Sequence, residues 1–175
     1  FVKAQNNRTN VYTTVYDFEH FSETAKIESS VILNRIFLDF DGHDGDLNNA
    51  YRDIKIVMDW VMSEDIKHTL FFSGRGFHLF LDGEETESIR NIQAYFKTMK
   101  DMLIAKVGKD ITLDDRVGQT TRLRRIPNTV NMSSSDNDGN PLFCIPLFYE
   151  DLSLHLNDLI ALASKPRGIP FRKVG

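Results

Sequence analysis

Two strand-like apolar runs, Thr69 to Ser73 and Phe77 to Leu81, are separated only by Gly74-Arg75-Gly76. A parallel pair of strands needs a crossover of about a dozen residues or more, whereas an antiparallel pair needs only a tight turn. This stretch therefore predicts an antiparallel hairpin, and any sheet built around it inherits that sense. Upstream, Val31 to Phe40 has a β-rich centre, Arg35 to Phe40, that reads as a buried strand ending at Asp41-Gly42. From Leu47 the apolar residues Tyr51, Ile54, Val57/Met58 and Val61/Met62 recur with helical period. Asp46 is the expected N-cap.

Further along, Ile89, Ile92, Tyr95/Phe96, Met99 and Met102/Leu103 form a second helical stripe. Ile111 to Leu113 is a short apolar run closed by Asp114-Asp115. Thr120 to Ile126 alternates as a strand and stops at Pro127, Ser133 to Pro141 reads as a loop, Leu142 to Phe148 as a strand, and Leu152 to Ala163 as a last helix. Val11 to Tyr16 predicts an outlying strand. Strands joined by short turns and mixed with helices predict an α+β fold, with a mainly antiparallel sheet and flanking helices. At 175 residues, with thirteen Phe and 41% apolar residues, the chain can bury one domain-sized core. We expect a single domain over residues 1–164, its core at about 31–150, and a basic tail or linker at 165–175. Both ends, Phe1 and the run to Gly175, look like cuts through a longer polypeptide. No apolar run reaches membrane-spanning length and no signal-peptide pattern is present. The single cysteine, Cys144, excludes an internal disulfide framework and a Cys-rich zinc ribbon, and points to a reducing compartment.

Charge is uneven along the chain. Between Asp39 and Asp65 eight acids (Asp39, Asp41, Asp44, Asp46, Asp53, Asp59, Glu64, Asp65) face only Arg52 and Lys55. Between Arg116 and Arg125 there are four arginines and no acid after Arg116; the tail adds Lys165, Arg167, Arg172 and Lys173. Acidic clusters hold hard cations and basic segments hold phosphates, although most charge runs are merely solvated.

Four segments could carry chemistry. Asp39 and Asp41, two apart in a strand, project to one face; such close like charges call for a cation or a proton. The Ser73-Gly74-Arg75-Gly76-Phe77-His78 turn brings donors suited to phosphate oxygens to a backbone that an anion can approach. The third glycine of a dinucleotide fingerprint is absent, since Leu79 occupies that position. Asp114 or Asp115 could add a distant carboxylate. Arg122, Arg124, Arg125 and Asn131 lie on a basic segment whose alternation puts Arg122 and Arg124 on one side and Arg125 on the other.

The order of these pieces resembles the archaeo-eukaryotic primase superfamily over about residues 35–131. That resemblance implies an RRM-like catalytic core and a DNA primase or primase-polymerase: a template-directed nucleotidyltransferase that joins nucleotides to a 3′-hydroxyl and releases pyrophosphate. It implies that Asp39, Asp41 and Asp114 (with Asp115 the alternative) bind two Mg²⁺ or Mn²⁺ ions and are catalytic. It further implies that Ser73, Arg75, His78, Arg125 and Asn131 bind the nucleotide. Asn131 departs from eukaryotic relatives, which have His there. No zinc is expected. The implied partners are single-stranded DNA template and primer, NTP or dNTP, and further domains of a longer polypeptide, with no membrane. The implied setting is cytoplasmic in a prokaryote, plasmid or virus, or otherwise intracellular.

Two rivals remain open on the residues. Ile36 to Gly42 also resembles the opening motif of haloacid-dehalogenase-type phosphatases, with Asp39 as nucleophile and Asp41 as acid/base. That reading requires a parallel sheet, and His43 stands where Thr is expected. A non-catalytic RNA-recognition-type module fits the α+β pattern but leaves three separated carboxylates without a role.

Overall fold

The hairpin forms the middle of a five-stranded antiparallel sheet in the computed structural model, which describes residues 8–19, 30–42, 46–86, 89–108, 110–114, 116 and 119–168. In chain order the elements are β1 (Tyr12–Thr14), β2 (Asp17–Phe18), β3 (Val31–Asp41), α1 (Leu47–Ser63), β4 (His68–Phe72), β5 (Gly76–Thr86), α2 (Ile89–Val107), β6 (Leu123–Arg125), β7 (Val130–Ser135), β8 (Pro141–Phe143), β9 (Ile145–Leu147), a 3₁₀ turn (Tyr149–Ser153) and α3 (Leu156–Leu162). The sheet order is β2-β3-β5-β4-β9. β5 lies between β3 and β4, so α1 carries the chain across β5 from one neighbour to the other. Every pairing among the described strands is antiparallel, which removes the parallel sheet that the phosphatase reading requires. Two two-stranded ribbons, β1-β6 and β7-β8, complete the fold.

The period of two along β3 and β5 divides the sheet into two faces. One face carries Leu38, Phe40, Leu70, Phe72, Phe77 and Leu79, all buried against Ala50, Ile54, Val57, Met58 and Val61 of α1 and Leu103 of α2. The opposite face carries Phe37, Phe71 and Phe80 in a smaller cluster with Val15, Tyr16, Leu33 and Cys144. Beyond those aromatics the same face carries Asp39, Asp41 and His78. The hydrophobic layer thus ends where the polar one begins.

Helix α1 begins where expected: the Asp46 carboxylate accepts from Asn48 N at 3.0 Å. Elsewhere the structure corrects the expected elements. Met62 and Tyr95 fall outside the buried stripes and are 42% and 59% exposed. Ser133 to Ser135 are not loop but the end of β7, because the turn back to β8 is made by Asp136 to Asn140, whose amides bond the Asp136 carboxylate. The Leu142 to Phe148 run is two strands in different sheets, broken at Cys144, whose backbone N–H and C=O go to Thr129 and Asn128. The last helix is a 3₁₀ turn followed by the shorter α3. Residues 119–122 form a turn, closed by Arg122 N to Gln119 O, so the strand expected at Thr120 starts only at Leu123. Among the described residues no helix is long and apolar enough to cross a membrane. Of the tail, Arg167 is already engaged: it pairs with Asp151, stacks on Phe148 and exchanges backbone bonds with the Asn128 side chain.

Candidate active site

Register decides what meets on the polar face. Asp39 pairs directly with His78, Asp41 with Gly76, and His78 with Phe71 on its other side. The third carboxylate arrives from outside the sheet. Residues 112–114 run along the free edge of β3, with a single bridge from Leu113 to Phe40. Asp41 N donates to Thr112 O at 3.1 Å and Asp114 N to Asp39 O at 2.8 Å. Asp115 lies outside the described residues.

Arginines balance the three carboxylates. Arg122 Nη2 lies 3.1 Å from Asp39 Oδ2 and 2.6 Å from Asp114 Oδ2, so one guanidinium serves both. Arg116 adds a backbone bond and a side-chain bond to Asp114 Oδ1, at 2.9 and 3.2 Å. Arg75 reaches across the hairpin turn to Asp41, at 2.6 and 3.2 Å. Among the described residues, no three His, Cys, Asp or Glu side chains stand at metal-holding spacing; Arg122 and Arg75 are the groups paired with these acids. The donor set nonetheless suits a hard divalent cation: three carboxylates with oxygen ligands, two of them already sharing one positive charge.

The electrostatics separate the groups. Burial pushes the Asp39 carboxyl up to about 6, against the pull of Arg122 and with a further push from Asp41 and Asp114. Burial also pushes Asp114 upward, but the backbone and side-chain bonds from Arg116 and Arg122 outweigh it and leave the group at about 2. His78 is lowered to about 3, first by burial and then by Arg124, Arg125 and Arg122. It is a neutral imidazole at physiological pH. Its Nε2 is 3.6 Å from Asp39 Oδ1, too long for a hydrogen bond, and its buried Nδ1 has no protein partner.

The turn beside this row is built by Ser73. Its Oγ accepts from Gly76 N and lies 3.1 Å from Gly76 O, while Ser73 N donates to the same carbonyl. Gly74 has φ +91°, which a side chain rarely adopts. Asn131 supports the turn from β7: its Nδ2 donates to Ser73 O at 2.8 Å and its Oδ1 accepts from Ser133 N at 3.0 Å. Arg125 is similarly occupied, donating to Asn10, to Val130 O and to the Tyr12 hydroxyl. Asp39, Asp41, Ser73, Arg75, His78, Arg125 and Asn131 all line one cleft of about 190 Å³, which Asp114 joins through Arg122.

Arg122, Arg124 and Tyr12 also line the cleft and were given no role from the sequence. Arg122 is the shared counter-charge described above. Arg124 lies over Phe71 and Phe80, at 5.4 and 4.9 Å from their ring centres. Tyr12 stands half-exposed at the cleft mouth, against the Arg125 guanidinium. Alternation had set Arg125 on the opposite side from Arg122 and Arg124, yet all three line this cleft, Arg122 from the turn ahead of β6, and nothing in the alternation pointed to Tyr12. A larger groove of about 520 Å³ opens at the opposite end of the hairpin, between the end of α1 and β9. It does not contain the converging carboxylates, so volume is a poor guide to chemistry here.

No family model matches the chain, and no curated protein matches it. Among solved structures it is similar to the polymerase domain from Mycobacterium tuberculosis Ligase D in complex with DNA, with a TM-score of 0.58 and 14% identity. The match covers 89% of this chain and 61% of that one, so the chain spans about three fifths of the structure it resembles. At that identity the likeness establishes the fold, a polymerase-domain-like α+β architecture.

Proposed function

We propose that this protein is a template-directed nucleotidyltransferase, a primase or primase-polymerase domain. It would extend a primer on a single-stranded DNA template from NTP or dNTP and release pyrophosphate. One observation carries the reading: Asp39 and Asp41, neighbours on one strand face, are met at the edge of that strand by Asp114 from a distant part of the chain, beside a glycine turn rich in phosphate-binding groups. A non-catalytic binding module gives no reason to gather three carboxylates there. The likeness of fold to a polymerase domain supports the same reading.

In this proposal Asp39, Asp41 and Asp114 hold two Mg²⁺ or Mn²⁺ ions. When bound, such ions lower the pKa of a 3′-hydroxyl and neutralise charge on a reacting phosphate. The rest falls to the chain's own residues. The Ser73 to Gly76 turn offers backbone and the Arg75 guanidinium to a triphosphate. His78, held neutral, donates without adding charge; it orients rather than protonates. Arg122 carries the charge of Asp39 and Asp114 and presents a fork matched to phosphate oxygens. Asn131 and Arg125, bonded in part to protein partners, hold the turn and the β1-β6 ribbon in place and offer their remaining N–H groups to the nucleotide. Other domains of a longer intracellular polypeptide would supply template handling.

The test is incorporation of labelled nucleotide on a primed single-stranded template with Mn²⁺ or Mg²⁺. Asp39→Ala, Asp41→Ala and Asp114→Ala should each abolish incorporation while circular dichroism remains that of a folded protein. Full activity in all three would overturn the assignment.

A further inference from the structure

Asp53 is a fully buried carboxylate on the apolar face of α1, between Ala50, Ile54 and Val57. An apolar residue there would pack against the sheet without the desolvation cost of a charge, so the carboxylate calls for a reason. Its bonds supply one. Oδ1 accepts from Arg52 Nε and Nη2, at 3.0 and 2.8 Å. Oδ2 accepts from the backbone N of Thr112 at 2.8 Å and from its hydroxyl at 3.0 Å. Thr112 is the first residue of the short segment that delivers Asp114. That segment has no strand of its own: it is held to β3 by the two backbone bonds flanking Phe40, which together make its single bridge, Leu113 to Phe40. Asp53 grips it from the helix side, so residues 112–114 are clamped between α1 and β3.

We propose that Asp53 is a positioning residue for Asp114, setting divalent-cation affinity and turnover without touching cation or nucleotide. The proposal rests on the reading of Asp39, Asp41 and Asp114 as the cation site. A segment with so few ladder bonds cannot by itself keep a carboxylate within the fraction of an ångström that a metal or a reacting phosphate requires. Charge on Asp53 strengthens both bonds to Thr112, and Arg52 balances that charge from the helix surface.

The test compares Asp53→Ala, Asp53→Asn and Thr112→Val with the wild type in three measurements: amide hydrogen exchange, Mn²⁺ binding followed by electron paramagnetic resonance, and steady-state incorporation. In Asp53→Ala the amides of Thr112 and Asp114 should exchange at least roughly tenfold faster, while those of Phe77 to Leu81 stay protected. Mn²⁺ affinity should fall roughly tenfold or more, the usual effect of losing a support behind a ligand. The kcat should fall in step, with nucleotide KM within about twofold, because the Ser73 turn is anchored elsewhere. Asp53→Asn keeps an acceptor for Thr112 N and should recover most of the loss. If Asp53→Ala fails to fold, Thr112→Val, which loses only the hydroxyl bond, should show the same pattern in smaller measure. Wild-type Mn²⁺ affinity and kcat in folded Asp53→Ala, or in Thr112→Val when that is the variant available, would overturn the proposal. So would a loss falling on KM rather than kcat. Should the wild type itself neither bind Mn²⁺ nor incorporate nucleotide, the cation-site reading fails instead. The exchange rates then decide the clamp alone: faster exchange confined to 112–114 supports it, and unchanged exchange refutes it.

Discussion

Gly76 faces Asp41 across the β3-β5 ladder, and its lack of a side chain allows the two strands to approach. A Cβ placed there would lie 2.1 Å from the carbonyl oxygen of Phe40 and 3.0 Å from Cα of Asp41. Ordinary contact begins at 3.4 Å, so the backbones must part by about 1.3 Å to admit a methyl group. Both neighbours are backbone atoms in a ladder and cannot rotate away. Gly76→Ala should therefore cost about 1–3 kcal/mol of overpacking. For a chain of this size that is a fall in melting temperature of roughly 3–10 °C. It should also displace Asp41, and Asp39 beside it, by about an ångström, enough to lower nucleotide incorporation on the order of a hundredfold. Gly83, on the same strand β5, is the control: nothing lies within 4 Å of its added Cβ. Gly83→Ala should melt within a degree or two of the wild type and keep its activity. Thermal denaturation and primer extension read the two effects separately. If Gly76→Ala melts and incorporates as the wild type does, the inference from strand spacing to site geometry is wrong.

Other outcomes follow from the same geometry. Tyr51 donates from its hydroxyl toward Leu152 O and Leu154 O, at 2.9 and 2.6 Å, tying α1 to the 3₁₀ turn. Tyr51→Phe keeps the stacking on Phe77 but leaves those carbonyls short of a donor, at about 1–2 kcal/mol by chemical denaturation; an unchanged midpoint would refute the tie. Cys144 is buried and its thiol is pushed up to about 12 by burial, so a disulfide reagent at pH 8 should modify the denatured protein and spare the native one. Asp39 and His78 oppose each other in pH. Asp39, at about 6 when folded and near 4 when unfolded, holds more protons in the native state, so its contribution to stability falls as pH rises through that window. His78, at about 3 when folded and 6.5 when unfolded, holds fewer, so its contribution rises over the same window. The two nearly cancel between about pH 4 and 6. Asp39→Asn should expose the His78 slope, roughly 1.4 kcal/mol of added stability per pH unit up to about 6.5. A urea midpoint that stays flat with pH in that variant would sink the assignment of His78 as a buried neutral imidazole.

What the sequence determined by itself is local. The three-residue connection at Gly74 to Gly76 admits only an antiparallel hairpin, and the helical period from Leu47 with Asp46 ahead of it marks where α1 begins, because both signals depend on neighbours in the chain. The same holds for Asp39 and Asp41, whose spacing of two puts them on one strand face wherever that strand lies. Runs of weaker periodicity were legible in kind but not in extent. Leu142 to Phe148 looks like one strand because both halves are apolar, yet Cys144 is where Thr129 and Asn128 claim the backbone and the chain changes sheets. Tertiary structure alone decided who meets whom across the sheet: that Asp114 comes to lie beside Asp39, that Arg122 sits between them, and that Asp53 reaches Thr112 from a helix 59 positions earlier. No spacing rule encodes such meetings. They follow from the crossover of α1 over β5 and from which edge of β3 is left free, and these are settled only when the whole core packs.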